Sequence, residues 1–294
     1  AQRVSEIGLT LKRITDNFTN VQLLVTGSSS FELQSNLSEP LTGRKYEYHL
    51  YPISTAELYD SQGLLPVKQM FESRLIYGSY PDIINHTDEA KELLMNIANR
   101  YMYKNLLAMN KIRRPILLEK LLIALALQVG SEVSYNEVAQ TIGTDNKTVE
   151  KYIDLLEKCY VIFRLNAFNR NLRTELKKSK KIYFYDNGIR NAVIQNFAPL
   201  SLRQDTGALW ENFFISERIK ANHYNVNYAK SFFWRTTQQQ EIDYIEEADG
   251  NFTAFEMKWN PNKRPITFPS PFLNNYPVKE TVVITPENYL EWVM

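Results

Sequence analysis

Asp243, Glu256 and Lys258 are residues whose types and spacing suit chemistry on a phosphate. Glu256 and Lys258 stand two apart in an alternating run, so their side chains project from one face of a strand. Asp249-Gly250-Asn251 separates that run from Glu241-Ile-Asp-Tyr-Ile245, which predicts a β-hairpin closed by a tight turn. In the first strand Asp243 shares a face with Glu241 and Ile245. A register that sets Asp243 beside Glu256 gathers two carboxylates and an ammonium at one spot. Close carboxylates repel unless a cation or a proton sits between them. Their oxygens suit Mg²⁺ or Mn²⁺, which activate water and steady a phosphate during displacement. Lys258 would orient that water or neutralise developing charge. The same residue types on exposed strands also make plain cross-strand ion pairs.

The elements that must position these groups come next. Glu211 lies in Gly207-Ala-Leu-Trp-Glu-Asn-Phe-Phe-Ile-Ser-Glu-Arg-Ile219, where Leu209, Phe213 and Ile219 recur at helical spacing. A helical carboxylate ahead of an Asp…Glu-x-Lys hairpin resembles the PD-(D/E)xK nuclease superfamily, restriction-endonuclease-like, over residues 207–259. The resemblance implies that Asp243 and Glu256 hold the metal, Lys258 positions water and Glu211 is an outer ligand. Ile242 stands where the signature has proline. Upstream, Lys181-Ile-Tyr-Phe-Tyr-Asp-Asn-Gly-Ile189 predicts a strand ending in a turn, with Asp186 either a further acid near the site or, the preferred reading, the cap of the helix that begins at Gly188. Downstream, prolines at 261, 265, 269 and 271 exclude a helix, and residues 281–285 read as a short final strand.

The composition is that of an ordinary globular protein: 294 residues, 44% hydrophobic, 23% charged. A net charge of +1 gives no bulk attraction to nucleic acid, so any such binding needs a local patch. One cysteine, Cys159, excludes an internal disulfide and reads as core filling. No apolar run reaches the ~20 residues that span a membrane, and no signal peptide opens the sequence, so a cytoplasmic protein with no membrane contact is expected.

At the N-terminal end, Val4, Ile7, Leu11 and Ile14 predict a helix over 4–16. Residues 21–26 read as a buried strand, 31–36 as a short helix and 46–50 as a further strand. Ser54 or Thr55 caps the helix after it, with Glu57 near its positive end. Leu24-Val-Thr-Gly-Ser-Ser-Ser30, Leu41-Thr-Gly-Arg44 and Leu50-Tyr-Pro-Ile-Ser54 resemble the back half of an AAA-type P-loop ATPase. The family is the prokaryotic one that carries a nuclease-like domain at its C-terminus. In it Thr26 and Ser28 would match the sensor strand facing the nucleotide, and Arg44 an arginine near the nucleotide or a neighbouring subunit. No Gly-x-x-x-x-Gly-Lys-Ser/Thr occurs, and the Walker B acids would precede Ala1. The chain is therefore read as a piece of a longer ATPase, with ATP bound only in the intact parent and no ATP hydrolysis expected of these residues.

Residues 66–110 are helical by pattern, broken at Tyr77-Gly-Ser-Tyr-Pro-Asp82, a Gly-x-Tyr-Pro segment that resembles the lid of the same family. From Pro115 the order changes to an apolar helix over 116–127, a helix capped by Ser134, a turn at Gly143, a helix over 147–158 and a strand over 161–165. That is the layout of a winged helix-turn-helix. Its second helix pairs Lys147, Lys151 and Lys158 against Glu150, Asp154 and Glu157, which leaves no basic stripe. A basic cluster follows: Arg164, Arg170, Arg173, Lys177, Lys178, Lys180 and Lys181. It could track a phosphate backbone, or be a solvated loop.

The expected fold is a multi-domain α/β chain: an AAA core remnant (1–60), a helical lid (61–112), a winged helix (113–180) and a mixed α/β nuclease-like domain (181–294). Two functions follow. One is metal-dependent phosphodiester hydrolysis by Glu211, Asp243, Glu256 and Lys258. The other is a non-catalytic module that binds nucleic acid or a partner protein under control of ATP in the full-length parent.

Overall fold

Helix starts in this chain are set by side-chain caps and prolines, and the sheet by alternating apolar runs. A computed structural model describes residues 7–18, 20–27, 45–99, 114–169, 180–260 and 266–294. The first helix, α1 (Ile7–Asn17), buries Leu11 against Ile7 and Val25. A run of short helices follows: α2 (Thr55–Gln62), α3 (Leu64–Gln69), α4 (Phe71–Tyr77), α5 (Pro81–Asn85) and α6 (Ala90–Ala98). Ser54, not Thr55, caps α2 in a capping box: its hydroxyl accepts from the Glu57 amide, and its own amide donates to Glu57 Oε2 at 2.8 Å. Pro81 stands in the first turn of α5, where a missing N–H costs nothing.

Two expected strands are corrected. Residues 21–27 and 45–50 make no sheet pairing, and Leu24, Tyr46, Tyr48 and Leu50 are exposed. An apolar strand needs neighbours for its backbone groups, and among the described residues none lies beside these runs. Of the residues assigned to nucleotide, Thr26 is exposed, while Ser28 and Arg44 lie outside the described residues, as do the expected 31–36 helix, residues 100–113 and most of the basic cluster.

The second part opens with α7 (Pro115–Leu127), which buries Leu118, Leu121, Leu122, Leu125 and Ala126. Then come β1 (Glu132–Val133), α8 (Tyr135–Ile142), α9 (Asn146–Lys158), β2 (Ile162–Ala167), β3 (Lys180–Phe184) and α10 (Asn187–Val193). Gly143 closes α8 at φ +76°, a left-handed cap that glycine adopts without steric cost. Asp145 caps α9 through the Thr148 amide at 2.9 Å. The third part is α11 (Thr206–Tyr224), β4 (Lys230–Arg235), β5 (Glu241–Ala248), β6 (Asn251–Met257), α12 (Ser270–Asn275), β7 (Val278–Ile284) and α13 (Leu290–Val293).

The seven strands of the described residues form one sheet in the order β1-β3-β2-β4-β5-β6-β7. The junction between its halves is a short parallel pairing of Asn166 and Ala167 with Phe232 and Phe233. β4, β5 and β6 are antiparallel neighbours, and β7 returns parallel to β6 after α12. Helix α12 corrects the expectation that the prolines exclude a helix here: Pro269 is its N-cap and Pro271 stands in its first turn, where a missing N–H costs nothing. One apolar core runs from Leu75 on α4 to Val293 on α13 and includes Cys159, as expected of a core-filling thiol. A smaller cluster of Trp234, Ile242, Ile245, Phe252, Ala254 and Phe272 packs under α12.

The short helices are locked to the rest by buried polar contacts. Asp186 caps α10 through the Ile189 amide at 3.1 Å, as its sequence position predicts, and also accepts from the Ser79 amide at 2.7 Å. Asn187 and Asn191 on α10 donate to the Leu75 and Ile76 carbonyls that end α4. Nearby, the buried Glu217 of α11 accepts from the amide and hydroxyl of Thr55 at the start of α2, and pairs with Arg74 at 3.3 Å and Lys220 at 2.7 Å. These ions together hold Glu217 down at about 2 despite its burial.

The approach of α4 to α10 requires glycine. A Cβ on Gly188 would stand 2.1 Å from the Tyr77 carbonyl oxygen, a backbone atom that cannot swing aside. Gly188→Ala is therefore expected to cost about 1–3 kcal/mol. Gly207→Ala, with open space around it, should stay within about 1 kcal/mol of wild type. Urea unfolding of the two variants checks this, and equal midpoints would show that the helices separate easily.

Candidate active site

The hairpin forms through a two-residue Asp249-Gly250 turn, both at positive φ (49° and 78°), which matches the twist of the flanking strands. Tyr244 pairs with Phe255 in β5 and β6, and one step further along the same register sets Asp243 against Glu256. Asp243 also accepts from the Met257 amide at 3.1 Å, which fixes its carboxylate at the end of the ladder. Lys258, just past β6, reaches back with its ammonium 2.8 Å from Glu256 Oε2 and 3.8 Å from Asp243 Oδ2. Glu211 enters from the second turn of α11.

Three further residues complete the cluster. Lys181 of β3 is buried, with Nζ 3.2 Å from Glu211 Oε1 and 2.6 Å from Glu241 Oε1. The Tyr183 hydroxyl, two residues on, donates to the same Glu211 oxygen at 2.6 Å. Arg235 at the end of β4 lies 3.4 Å from Glu132 and 3.7 Å from Glu241. The sequence leaves Lys181 in a basic cluster that either tracks a phosphate backbone or is a solvated loop, and the buried Lys181 does neither. Lys181 faces the acids, and Arg164 is spent on Asp154 at 2.7 Å and on Glu157. The missed signal is the Lys181-x-Tyr183 spacing, which puts an ammonium and a phenol on one face of a strand.

The electrostatics follow from crowding. Burial and the Asp243 carboxylate push Glu256 up to about 7, against the pull of Lys258. Burial and Asp243 likewise push Glu211 up to about 7, against Lys181 and Tyr183. The acids in turn raise Lys181 and Lys258 and keep both ammoniums charged. Among the described residues no group of three or more His, Cys, Asp or Glu side chains is arranged to hold a metal ion. Asp243 and Glu256 offer a pair of hard oxygen donors. That fits Mg²⁺, which is commonly bound by one or two carboxylates with water and substrate phosphate filling the rest.

Comparison with known proteins bears on the rest of the chain. Residues 1–59 match the model of an AAA domain. Residues 68–200 and 206–291 match two domains of unknown function, DUF8612 and DUF4143. These matches relate the chain to the AAA-like ATPase family. An uncharacterised protein of Haemophilus influenzae is 27% identical over 60% of this chain and 46% of its own length. One of Mycobacterium tuberculosis is 26% identical over 88% of this chain and 57% of its own. One of Methanocaldococcus jannaschii is 22% identical over 80% and 54%. The chain thus spans about half the length of the curated relatives it matches. No solved structure matches it. Among the described residues no helix is long and apolar enough to cross a membrane.

The raised acids make stability depend on pH. Between about 4.5, where an unfolded glutamate titrates, and about 7, the folded chain holds protons that the unfolded chain releases. Stability from these groups is therefore present at low pH and is lost as pH rises through 7. Glu256→Gln should match wild type near pH 4 and exceed it at pH 8 in urea unfolding. A gap that widens toward low pH would show instead that Glu256 is held charged.

Proposed function

We propose that the C-terminal part of this ATPase-related chain hydrolyses nucleic acid phosphodiesters with a divalent metal, at Asp243, Glu256, Lys258 and Glu211. The observation that carries this reading is the meeting of Asp243 and Glu256 across the β5–β6 ladder, with the Lys258 ammonium 2.8 and 3.8 Å from them. The order of elements supports it: helix α11, three antiparallel strands, helix α12 and a parallel fourth strand is the layout implied by a restriction-endonuclease-like resemblance. Likewise the order from α7 to β3, with β3 between β1 and β2, supports a winged helix that would carry the nucleic acid.

Asp243 and Glu256 would hold Mg²⁺ or Mn²⁺, which when bound makes water a better nucleophile and neutralises phosphate charge. Lys258 orients the attacking water and offsets charge as it develops on the phosphoryl oxygens. Water would add to phosphorus and release a proton to solvent, the phosphorus–oxygen bond to the leaving sugar would break, and the leaving oxygen would take a proton from solvent. Glu211 lies behind this pair as an outer acid. ATP binding and hydrolysis belong, in this reading, to the Walker-bearing half of an intact parent.

A second reading is a non-catalytic module that contacts nucleic acid or a partner protein. One observation favours it: Lys181 and Lys258 already pair with Glu211, Glu241, Glu256 and Asp243 within the chain. A site satisfied by its own lysines needs no metal to stand.

Cleavage of single-stranded DNA, duplex DNA and RNA with Mn²⁺ or Mg²⁺ separates the readings. Hydrolysis by wild type should fall at least a hundredfold in Lys258→Ala. Mn²⁺ should raise the wild-type Tm by mass action, and Asp243→Ala should remove that rise. Neither cleavage nor a metal-dependent Tm would leave the binding module.

A further inference from the structure

The acidic site depends on a cation from outside the hairpin. Lys181 belongs to β3, in the other half of the sheet from the strands that carry Asp243 and Glu256. Its side chain is 2% exposed and its ammonium touches two carboxylates, Glu211 on α11 and Glu241 at the start of β5, while the Phe233 ring lies 5.5 Å away. One ion thus ties three elements together. Tyr183 adds a second donor from the same strand, aimed at the same Glu211 oxygen. Both bonds fall on Oε1, so the rotation of the Glu211 carboxylate is set from β3 alone. On its other side Glu211 meets Gly130, where a Cβ would stand 3.3 Å from Oε2.

We propose that Lys181 is a positioning residue for the acidic site, holding Glu211 in the orientation from which it acts as outer acid to Asp243 and Glu256. The proposal rests on the metal-dependent reading above. Lys181 touches no reacting atom. Its part is to keep a carboxylate fixed beside two others that would otherwise repel it. Tyr183 is the smaller half of the same device. Hydrogen-bonding partners behind metal-site carboxylates are commonly worth 10–100-fold in affinity or activity when removed. Loss of the ammonium here leaves Glu211 with the Tyr183 hydroxyl alone, free to turn or to take up a proton.

The test uses the full chain with Lys181→Met, Lys181→Arg and Tyr183→Phe, each first compared with wild type by thermal unfolding. Mn²⁺ affinity is read by calorimetry, and kcat and KM by cleavage at saturating Mn²⁺. Lys181→Met should bind Mn²⁺ roughly tenfold more weakly and lose roughly tenfold or more in kcat, with KM within about twofold. Lys181→Arg should recover most of both, since it restores the cation. Tyr183→Phe keeps the shape of the core and should show a smaller loss of the same kind, and it carries the test if Lys181→Met does not fold. Equal or tighter Mn²⁺ binding and unchanged kcat in Lys181→Met and Tyr183→Phe would overturn the proposal alone. Wild type that neither binds Mn²⁺ nor cleaves would overturn the proposal together with the reading under it.

Discussion

Two buried carboxylates, Asp186 and Glu217, hold this molecule in one piece. Each sits where apolar packing alone would place a hydrocarbon, and each is there because backbone amides elsewhere in the chain need an acceptor. Asp186 joins the start of α10 to the turn after α4, and Glu217 joins α11 to the first amides of α2. A buried anion is costly unless charges and hydrogen bonds surround it. Here Arg74 and Lys220 surround Glu217, and four backbone or hydroxyl donors complete the two sites. Gly78 and Gly188 are the geometric counterpart, since a Cβ on either would strike Asp186 or the Tyr77 carbonyl. The short helices are thus fixed to the same body as the acidic site.

That fixation bears on how the site is placed. Helix α11 carries Glu217 into the anchored junction and Glu211, six residues earlier, into the acidic cluster. The strand β3 leads on one side to Lys181 and Tyr183 at the cluster and on the other to Asp186 at the junction. The two elements that bring Glu211, Lys181 and Tyr183 to the site are therefore also pinned away from it. The families matched along the chain divide it near residues 200–206, yet the sheet and the main core cross that division without a break.

Much of this was legible in the residues. The Asp249-Gly250 turn follows from two positions that must take positive φ, and register then follows by counting outward, so Asp243 meets Glu256. The caps at Ser54 and Asp186 are local chemistry between residues three apart, readable without any fold. The strands at 21–26 and 46–50 were not legible, because an apolar run specifies a strand only if a neighbour exists to pair with it. The partners of Lys181 were hidden for a related reason: a lysine beside other basic residues looks solvated until the fold shows which way its strand faces.

By itself, then, the sequence determined what lies within a few residues: hairpin register, helix caps, the Glu256–Lys258 pairing on one face, and the likeness of the first 59 residues to an AAA domain. Tertiary structure alone decided which distant groups share one dielectric. It brought Lys181, Tyr183 and Glu211 to Asp243, and Thr55 and Arg74 to Glu217, across separations of up to 162 residues. Local pattern carries no record of such meetings, because they depend on how the faces of helices and strands stack. The shifted acidities of Glu211 and Glu256 arise from that stacking and not from the residues themselves.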